Sequence, residues 1–234
     1  MNAPIPELAE AGLVLQAVLP IGDLNQDSLN ALRSINIEPS DWSVLVLTGQ
    51  GGRILWDKHV RHNRHRSDPF DETSISLVDS WFRTNHPTER WSVVYPSNAP
   101  LPLGQLAQQV GWGDPSPLGL TINPEYGLWM SHRVAFVTSL DLPASTQPRT
   151  QSPCATCADR PCEAACPVAA VSFDDGFDVR SCAEHRVTAA SPCAYQCLAR
   201  NSCPVGAEHR YGDDQMHHHY ASGLASIREW IASD

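Results

Sequence analysis

Residues 1–153 contain no cysteine, and nowhere in the 234-residue chain does an apolar run approach the roughly eighteen residues that a membrane-spanning helix needs. The second absence excludes an integral helical membrane protein. The opening MNAPIPELAEAGLVLQAVLPIG carries acids where a secretory leader carries a basic n-region, so no signal peptide is expected. Without one, a disulfide framework loses its usual setting, and the expected location is the cytoplasm. Cations are also scarce: 16 Lys and Arg stand against 26 Asp and Glu, a formal charge of −10 that disfavours broad nucleic-acid binding. The turn Gly49-x-Gly51-Gly52 lacks the third spaced glycine of a dinucleotide fingerprint and any following Gly-Lys-Ser/Thr, so nucleotide binding has no motif.

What is present is concentrated. All eight cysteines fall between Cys154 and Cys203. The first group reads Cys154-x2-Cys157-x4-Cys162-x3-Cys166-Pro167, and the second Cys182-x10-Cys193-x3-Cys197-x5-Cys203-Pro204. The bacterial ferredoxin run is C-x2-C-x2-C-x3-C-P, in which three thiolates hold one four-iron cluster and the fourth reaches a second. Two groups of four closing on Cys-Pro match two 4Fe-4S clusters. The crossover then pairs Cys154, Cys157 and Cys162 with Cys203, and Cys182, Cys193 and Cys197 with Cys166. Zinc is the main competitor, since two all-cysteine sites also need eight thiolates. Zinc sites, however, usually repeat C-x2-C in both halves, and only one such pair occurs here. Each oxidised cluster with its thiolates carries a charge of roughly −2, which Arg149, Arg160, Arg180, Arg186 and Arg200 are placed to offset.

The rest of the chain patterns as α+β. WSVLVLT at 42–48 reads as a buried strand feeding the glycine turn, and Ile54–Arg66 as a helix start. A helix over 70–82 has Asp68 or Asp71 as its cap, Trp91–Tyr95 is a strand ended by Pro96, and LGQLAQQVGW is a short helix. Asn123-Pro124-Glu125-Tyr126-Gly127 is a turn, 128–138 a strand, and the segment from Asp213 a helix. The expected domains are 1–145, a Pro/Ser/Thr/Gln-rich linker at 146–153, and 154–234. His59, His62 and His65 lie among Lys58, Arg61, Arg64 and Arg66, a basic face most simply read as solvated. His217, His218 and His219 cannot all meet one metal from adjacent helical positions, although one of them can approach a cluster.

Residues 91–138, WSVVYPSNAPLPLGQLAQQVGW…LGLTINPEYGLWMSHRVAFVT, followed directly by the cysteine module, resemble the order seen in epoxyqueuosine reductase and in corrinoid reductive dehalogenases. Residues 44–138 are also similar to the cobalamin-processing chaperone CblC in the LVL strand, in Asp68-Pro69-Phe70-Asp71 and in Pro124-x2-Gly127-x-Trp129-x3-Arg133. The resemblance implies a nitroreductase-like first domain that binds cobalamin and a ferredoxin-like second domain with a C-terminal helix that reduces it. It implies that Tyr126, Gly127, Trp129 and Arg133 line the cofactor pocket, and that a donor such as a ferredoxin, flavodoxin or reductase supplies electrons. A flavin in the first domain is a further reading by fold analogy. The expected function is an iron–sulfur redox protein that delivers electrons to a corrinoid; the alternative is a ferredoxin-type carrier whose first domain docks a partner. The matching stretch Ser97-Asn98-Ala99-Pro100 has serine where the reductase has its catalytic aspartate, so no catalytic residue is assigned.

Overall fold

The computed structural model describes residues 3–233, so residues 1, 2 and 234 of the expected domains lie outside the described residues. In chain order the elements are α1 (Pro6–Glu10), β1 (Leu15–Pro20), α2 (Gln26–Ser34), β2 (Val44–Gly51), α3 (Arg61–Asn63), α4 (Pro69–Asn85), β3 (Trp91–Tyr95) and α5 (Leu103–Gln109). They continue with β4 (Asp114–Pro115), β5 (Thr121–Ile122), β6 (Met130–Thr138), α6 (Pro161–Ala165), β7 (Val171–Ser172), β8 (Gly176–Phe177), α7 (Val179–Val187), α8 (Leu198–Ser202) and α9 (Asp213–Ser233). Among the described residues no helix is long and apolar enough to cross a membrane.

The chain forms two compact units that interleave in sequence. The first comprises Met1–Trp112 and Met130–Thr150, the second Gly113–Trp129 and Gln151–Asp234. Two segments therefore lie elsewhere than the expected boundaries put them. Residues 113–129 belong with the cysteines, and the Pro-rich stretch as far as Thr150 belongs to the first unit. That stretch is fastened by backbone bonds: Ser145 bridges Val18, and the Gln147 N–H donates to the Val110 carbonyl at 2.9 Å.

The first unit is built on a four-stranded sheet of order β1-β2-β6-β3, antiparallel throughout. All eight residues of β2 are buried, and its first four, Val44 to Leu47, form a continuous apolar run instead of an alternation. The glycines expected to form a turn after this strand are partly inside it. Gly49, Gln50 and Gly51 pair with His132, Ser131 and Met130 beyond a register shift between Leu47 and Gly49. At the shift the Thr48 hydroxyl takes over the ladder, donating to the Val134 carbonyl at 2.9 Å and accepting from the Val134 N–H at 3.2 Å. Gly49 is needed there because a Cβ would stand 2.9 Å from the Ser131 carbonyl oxygen.

Helix α4 starts at Pro69, whose missing N–H costs nothing at the first helical position. Asp68 caps it by accepting from the Asp71 N–H. Its apolar face sends Phe70, Val78 and Phe82 into a core shared with Val46, Trp56 and Phe136. The basic segment is helical only as far as Asn63, with a π-helical turn at Trp56–Val60, so His65 lies beyond the helix that was to carry it.

The second unit has little regular sheet: two two-stranded ribbons, β4-β5 and β7-β8, and short helices. Cys166 and Cys203 each occupy the position that ends a one-turn helix, α6 and α8, and the following prolines cannot prolong it. Leu118, Ile122 and Leu128 from the early segment pack with Cys162, Val171, Ala199 and Cys203.

Candidate metal centres

The eight thiols fall into two sets of four, and each set lines its own cavity in the second unit. Cys166, Cys182, Cys193 and Cys197 line a cavity of about 290 Å³ together with Arg186, Arg200, His185, His219 and Tyr220. Cys154, Cys157, Cys162 and Cys203 line a smaller cleft of about 20 Å³, whose other walls are Ser116 and apolar residues, among them Leu118, Ile122, Leu128, Phe173 and prolines. The thiols are the only titratable groups in the second wall. None of the eight is in a disulfide.

Electrostatics reports the same grouping. Burial, reinforced by Cys203, Cys162 and Cys157, pushes the Cys154 thiol up to about 11. Burial, reinforced by Cys197, Cys166 and Cys193 and opposed by Arg186, pushes Cys182 up to about 11. Burial also raises Cys162, Cys197 and Cys203. Four thiols that repel one another's ionisation lose their protons to a metal centre, because only the thiolate ligates. Two of them already accept backbone N–H bonds: Cys166 Sγ from Ala170 at 3.3 Å and Cys197 Sγ from Arg200 at 3.4 Å. Among the described residues no group of three or more His, Cys, Asp or Glu converges as it would around a single ion. The donor sets, four thiols to a cavity, fit four-iron clusters.

Of the arginines singled out by sequence, Arg186 and Arg200 line the larger cavity. Arg160 lies over the Phe173 ring at 4.5 Å, Arg180 pairs with Glu184, and Arg149 falls in the first unit. In the histidine triplet, His217 stacks on Tyr195 with ring centroids 4.6 Å apart, and His219 alone reaches the thiol-lined cavity. His185, Tyr220 and the wall from Leu118 to Leu120 were not anticipated. Cys182-x2-His185 was a visible spacing, whereas no local pattern placed 118–120 there.

The four residues expected at a corrinoid do not gather in one unit. Tyr126, Gly127 and Trp129 belong to the second unit and Arg133 to the first. Gly127 has φ of 56°, and a Cβ on it would stand 1.9 Å from the Val205 carbonyl oxygen, so the close approach it permits is to protein backbone. Trp129 is 0% exposed, covered by Tyr211 at 5.2 Å and by the Arg200 guanidinium at 4.3 Å. Neither residue has a free face for a macrocycle. Tyr126 is half-buried beside His209, its hydroxyl pushed up to about 12 by burial and Glu125. Arg133 is buried with its guanidinium 4.2 Å from the Phe70 ring centroid.

Around Arg133 the first unit assembles a titratable group that the sequence disclosed only as a helix cap. Burial raises the Asp71 carboxyl, with Asp68 reinforcing and Arg133 opposing. Burial and Asp71 raise the Tyr95 hydroxyl, again against Arg133. Ser97, in the place of the expected acid, spends its hydroxyl in a turn, donating to the Val94 carbonyl and accepting from the Ala99 N–H.

No protein-family model and no curated protein matches the sequence. Solved structures do. An epoxyqueuosine reductase in complex with an epoxyqueuosine-modified tRNA stem loop aligns with a TM-score of 0.57 at 15% identity, over 92% of this chain and 67% of that one. Epoxyqueuosine reductase from Bacillus subtilis aligns with 0.55 at 14% identity, over 90% and 66%. A catabolic reductive dehalogenase in complex with 3-bromo-4-hydroxybenzoic acid aligns with 0.50 at 15% identity, over 94% of this chain and 34% of that one. The chain thus spans about two thirds of the length of these reductases and about one third of the dehalogenase. At such identities the likeness is one of architecture, and the chain has a mixed α and β fold like that of epoxyqueuosine reductases and reductive dehalogenases.

Proposed function

We propose that the chain is an oxidoreductase-type protein that holds two four-iron clusters and delivers single electrons through them to a corrinoid acceptor. One cluster is assigned to Cys154, Cys157, Cys162 and Cys203, the other to Cys166, Cys182, Cys193 and Cys197. The observation that carries the assignment is the sorting of eight thiols into two cavities of four, in the crossed order of a two-cluster ferredoxin. When bound, the clusters supply one-electron storage. The chain's own part is to bury the thiols and lend backbone N–H bonds to two of them. The corrinoid rests on the resemblance in the sequence and on the shared architecture, with Arg133 and the Asp71–Tyr95 pair as the polar groups nearest that role in the first unit.

A second reading is an electron carrier that binds no corrinoid. The observation favouring it is that Gly127 and Trp129 are spent on packing inside the second unit.

Anaerobic isolation followed by iron and sulfide assay is expected to give about eight of each per chain. Zinc in their place overturns both readings. Adding cob(II)alamin to the reduced protein then decides between them: a spectral change that saturates with protein supports corrinoid reduction, and an unchanged spectrum leaves the carrier. Arg133→Gln is expected to weaken the cobalamin titration without altering iron content.

A further inference from the structure

The two thiol-lined cavities differ in the charged side chains of their walls. Arg200 is 9% exposed, and its guanidinium lies 4.3 Å from the Trp129 ring and 5.0 Å from the Tyr211 ring, with one nitrogen donating to the Leu128 carbonyl at 2.6 Å. Its Nε is buried and makes no hydrogen bond. Arg186 donates to the carbonyls of Cys193, Ala194 and Tyr220 and lies 4.9 Å from the Tyr220 ring. Among the described residues neither guanidinium pairs with a carboxylate, although surface arginines such as Arg66, Arg83 and Arg180 do. A buried cation without a counter-ion is costly, and protein interiors seldom hold one unpaired. Both guanidinia line the cavity of Cys166, Cys182, Cys193 and Cys197.

The other cavity has no guanidinium in its wall, and its one electrostatic support is Arg210, which acts on Cys203 from outside that wall. Its walls carry no charged side chain apart from the thiols themselves. Arg210 is engaged on the Cys203 carbonyl at 3.1 Å, and Arg160 is engaged with Glu163, next to Cys162, at 3.9 Å.

We infer that Arg186 and Arg200 are the counter-ions of the cluster held by Cys166, Cys182, Cys193 and Cys197 and make it the higher-potential centre of the two. The inference rests on the functional reading above. Adding one electron makes a cluster more negative by one charge and transfers no atom. A fixed cation therefore stabilises the reduced form and raises the potential, which cluster charge, hydrogen bonds and exposure otherwise set. An electron taken from an external one-electron reductant comes to rest on the arginine-lined side, and the apolar-walled cluster is the stronger reductant.

Redox titration of the anaerobic full-length chain, followed by electron paramagnetic resonance, tests this. The wild type is expected to show two separate one-electron midpoints; coincident midpoints overturn the inference without any variant. Arg200→Gln keeps the backbone N–H on Cys197 and removes the charge, together with the guanidinium's bond to the Leu128 carbonyl and its contacts with the Trp129 and Tyr211 rings. At fixed ambient potential it is expected to lower the reduced-to-oxidised ratio of the higher-potential cluster at least tenfold, about 59 mV for a one-electron couple, and to leave the other in place. Arg200→Lys restores most of the shift. Arg186→Gln, at a less buried position, repeats the measurement if Arg200→Gln loses iron. Equal shifts in both clusters, or none in a variant with full iron content, overturn the inference and leave the functional reading intact. A wild type lacking iron overturns both.

Discussion

Gly127 and Gly206 face each other at a point where the chain has no room for side chains. Their φ angles are 56° and 63°, and a Cβ on Gly206 would stand 2.4 Å from the Tyr126 carbonyl carbon. Left-handed backbone costs an alanine about 1–2 kcal/mol before any overlap is counted. Gly127→Ala is therefore expected to destabilise the protein by more than that figure, seen as a lower Tm together with loss of iron. Gly223, inside α9, meets nothing closer than an Arg186 nitrogen at 4.0 Å. Gly223→Ala should stabilise by roughly 0.5–1 kcal/mol, the helix-interior preference for alanine, with iron retained. Equal Tm values for the two variants would contradict the packing described. In the first unit His132 stacks on Trp112 at 5.5 Å, and its Nε2 is buried without a hydrogen bond. Burial, with Arg133 adjoining, lowers its pKa from 6.5 to about 4. The unfolded chain therefore binds the proton first. Stability is full above pH 6.5 and falls as the pH drops toward 4, by about 3 kcal/mol in all. Denaturant unfolding of the first unit at pH 7 and pH 5 should show this slope, and His132→Phe should flatten it.

At the scale of elements, the parts whose information is local were legible in the sequence. The strand at 91–95, the strand expected at 128–138 and formed from Met130 to Thr138, the helices at 103–109 and from Asp213, and the Asp68 cap all follow from periodicity and breakers within a few residues. The cysteine spacing was equally local, and the partition it implied is the partition of the two cavities. Less local features were not readable. Gly49 and Gly51 look like turn residues, yet they extend β2, because a register shift against β6 requires a residue without a side chain. Trp129 and Gly127 look available to a ligand because their burial depends on Arg200, Tyr211 and Val205, some seventy or more positions later. Helix α8 shows both sides of this. Cys197 caps it, accepting from the Arg200 N–H three residues on, a spacing visible in the sequence. Only the tertiary structure shows that the same arginine then runs inward to the Leu128 carbonyl.

For the whole molecule, the consequential fact is that the cysteine-bearing unit is not a terminal cassette. Leu118, Ile122 and Leu128 pack directly with Cys162 and Cys203. A fragment spanning 151–234 alone lacks them, and it is expected to bind markedly less iron after anaerobic reconstitution than the full chain. Full iron occupancy of that fragment would show the early segment to be dispensable. The same interleaving also dictates an order of events during synthesis. The chain leaves the first unit after Trp112, returns at Met130 to lay down β6 in the interior of the sheet between β2 and β3, and finishes that unit at Thr150. Residues 113–129 meanwhile wait for Cys203, which emerges about 4–15 s after Trp129 at ordinary translation rates. During that interval Ile122, Leu128 and Trp129, all later buried, gain their partners only piecemeal: Cys162 and Val171 first, then Ala199 and Arg200, with Tyr211 following Cys203. A seventeen-residue segment, Gly113–Trp129, is thus made well before the rest of the unit to which it belongs, and its apolar side chains are covered only as that unit is completed.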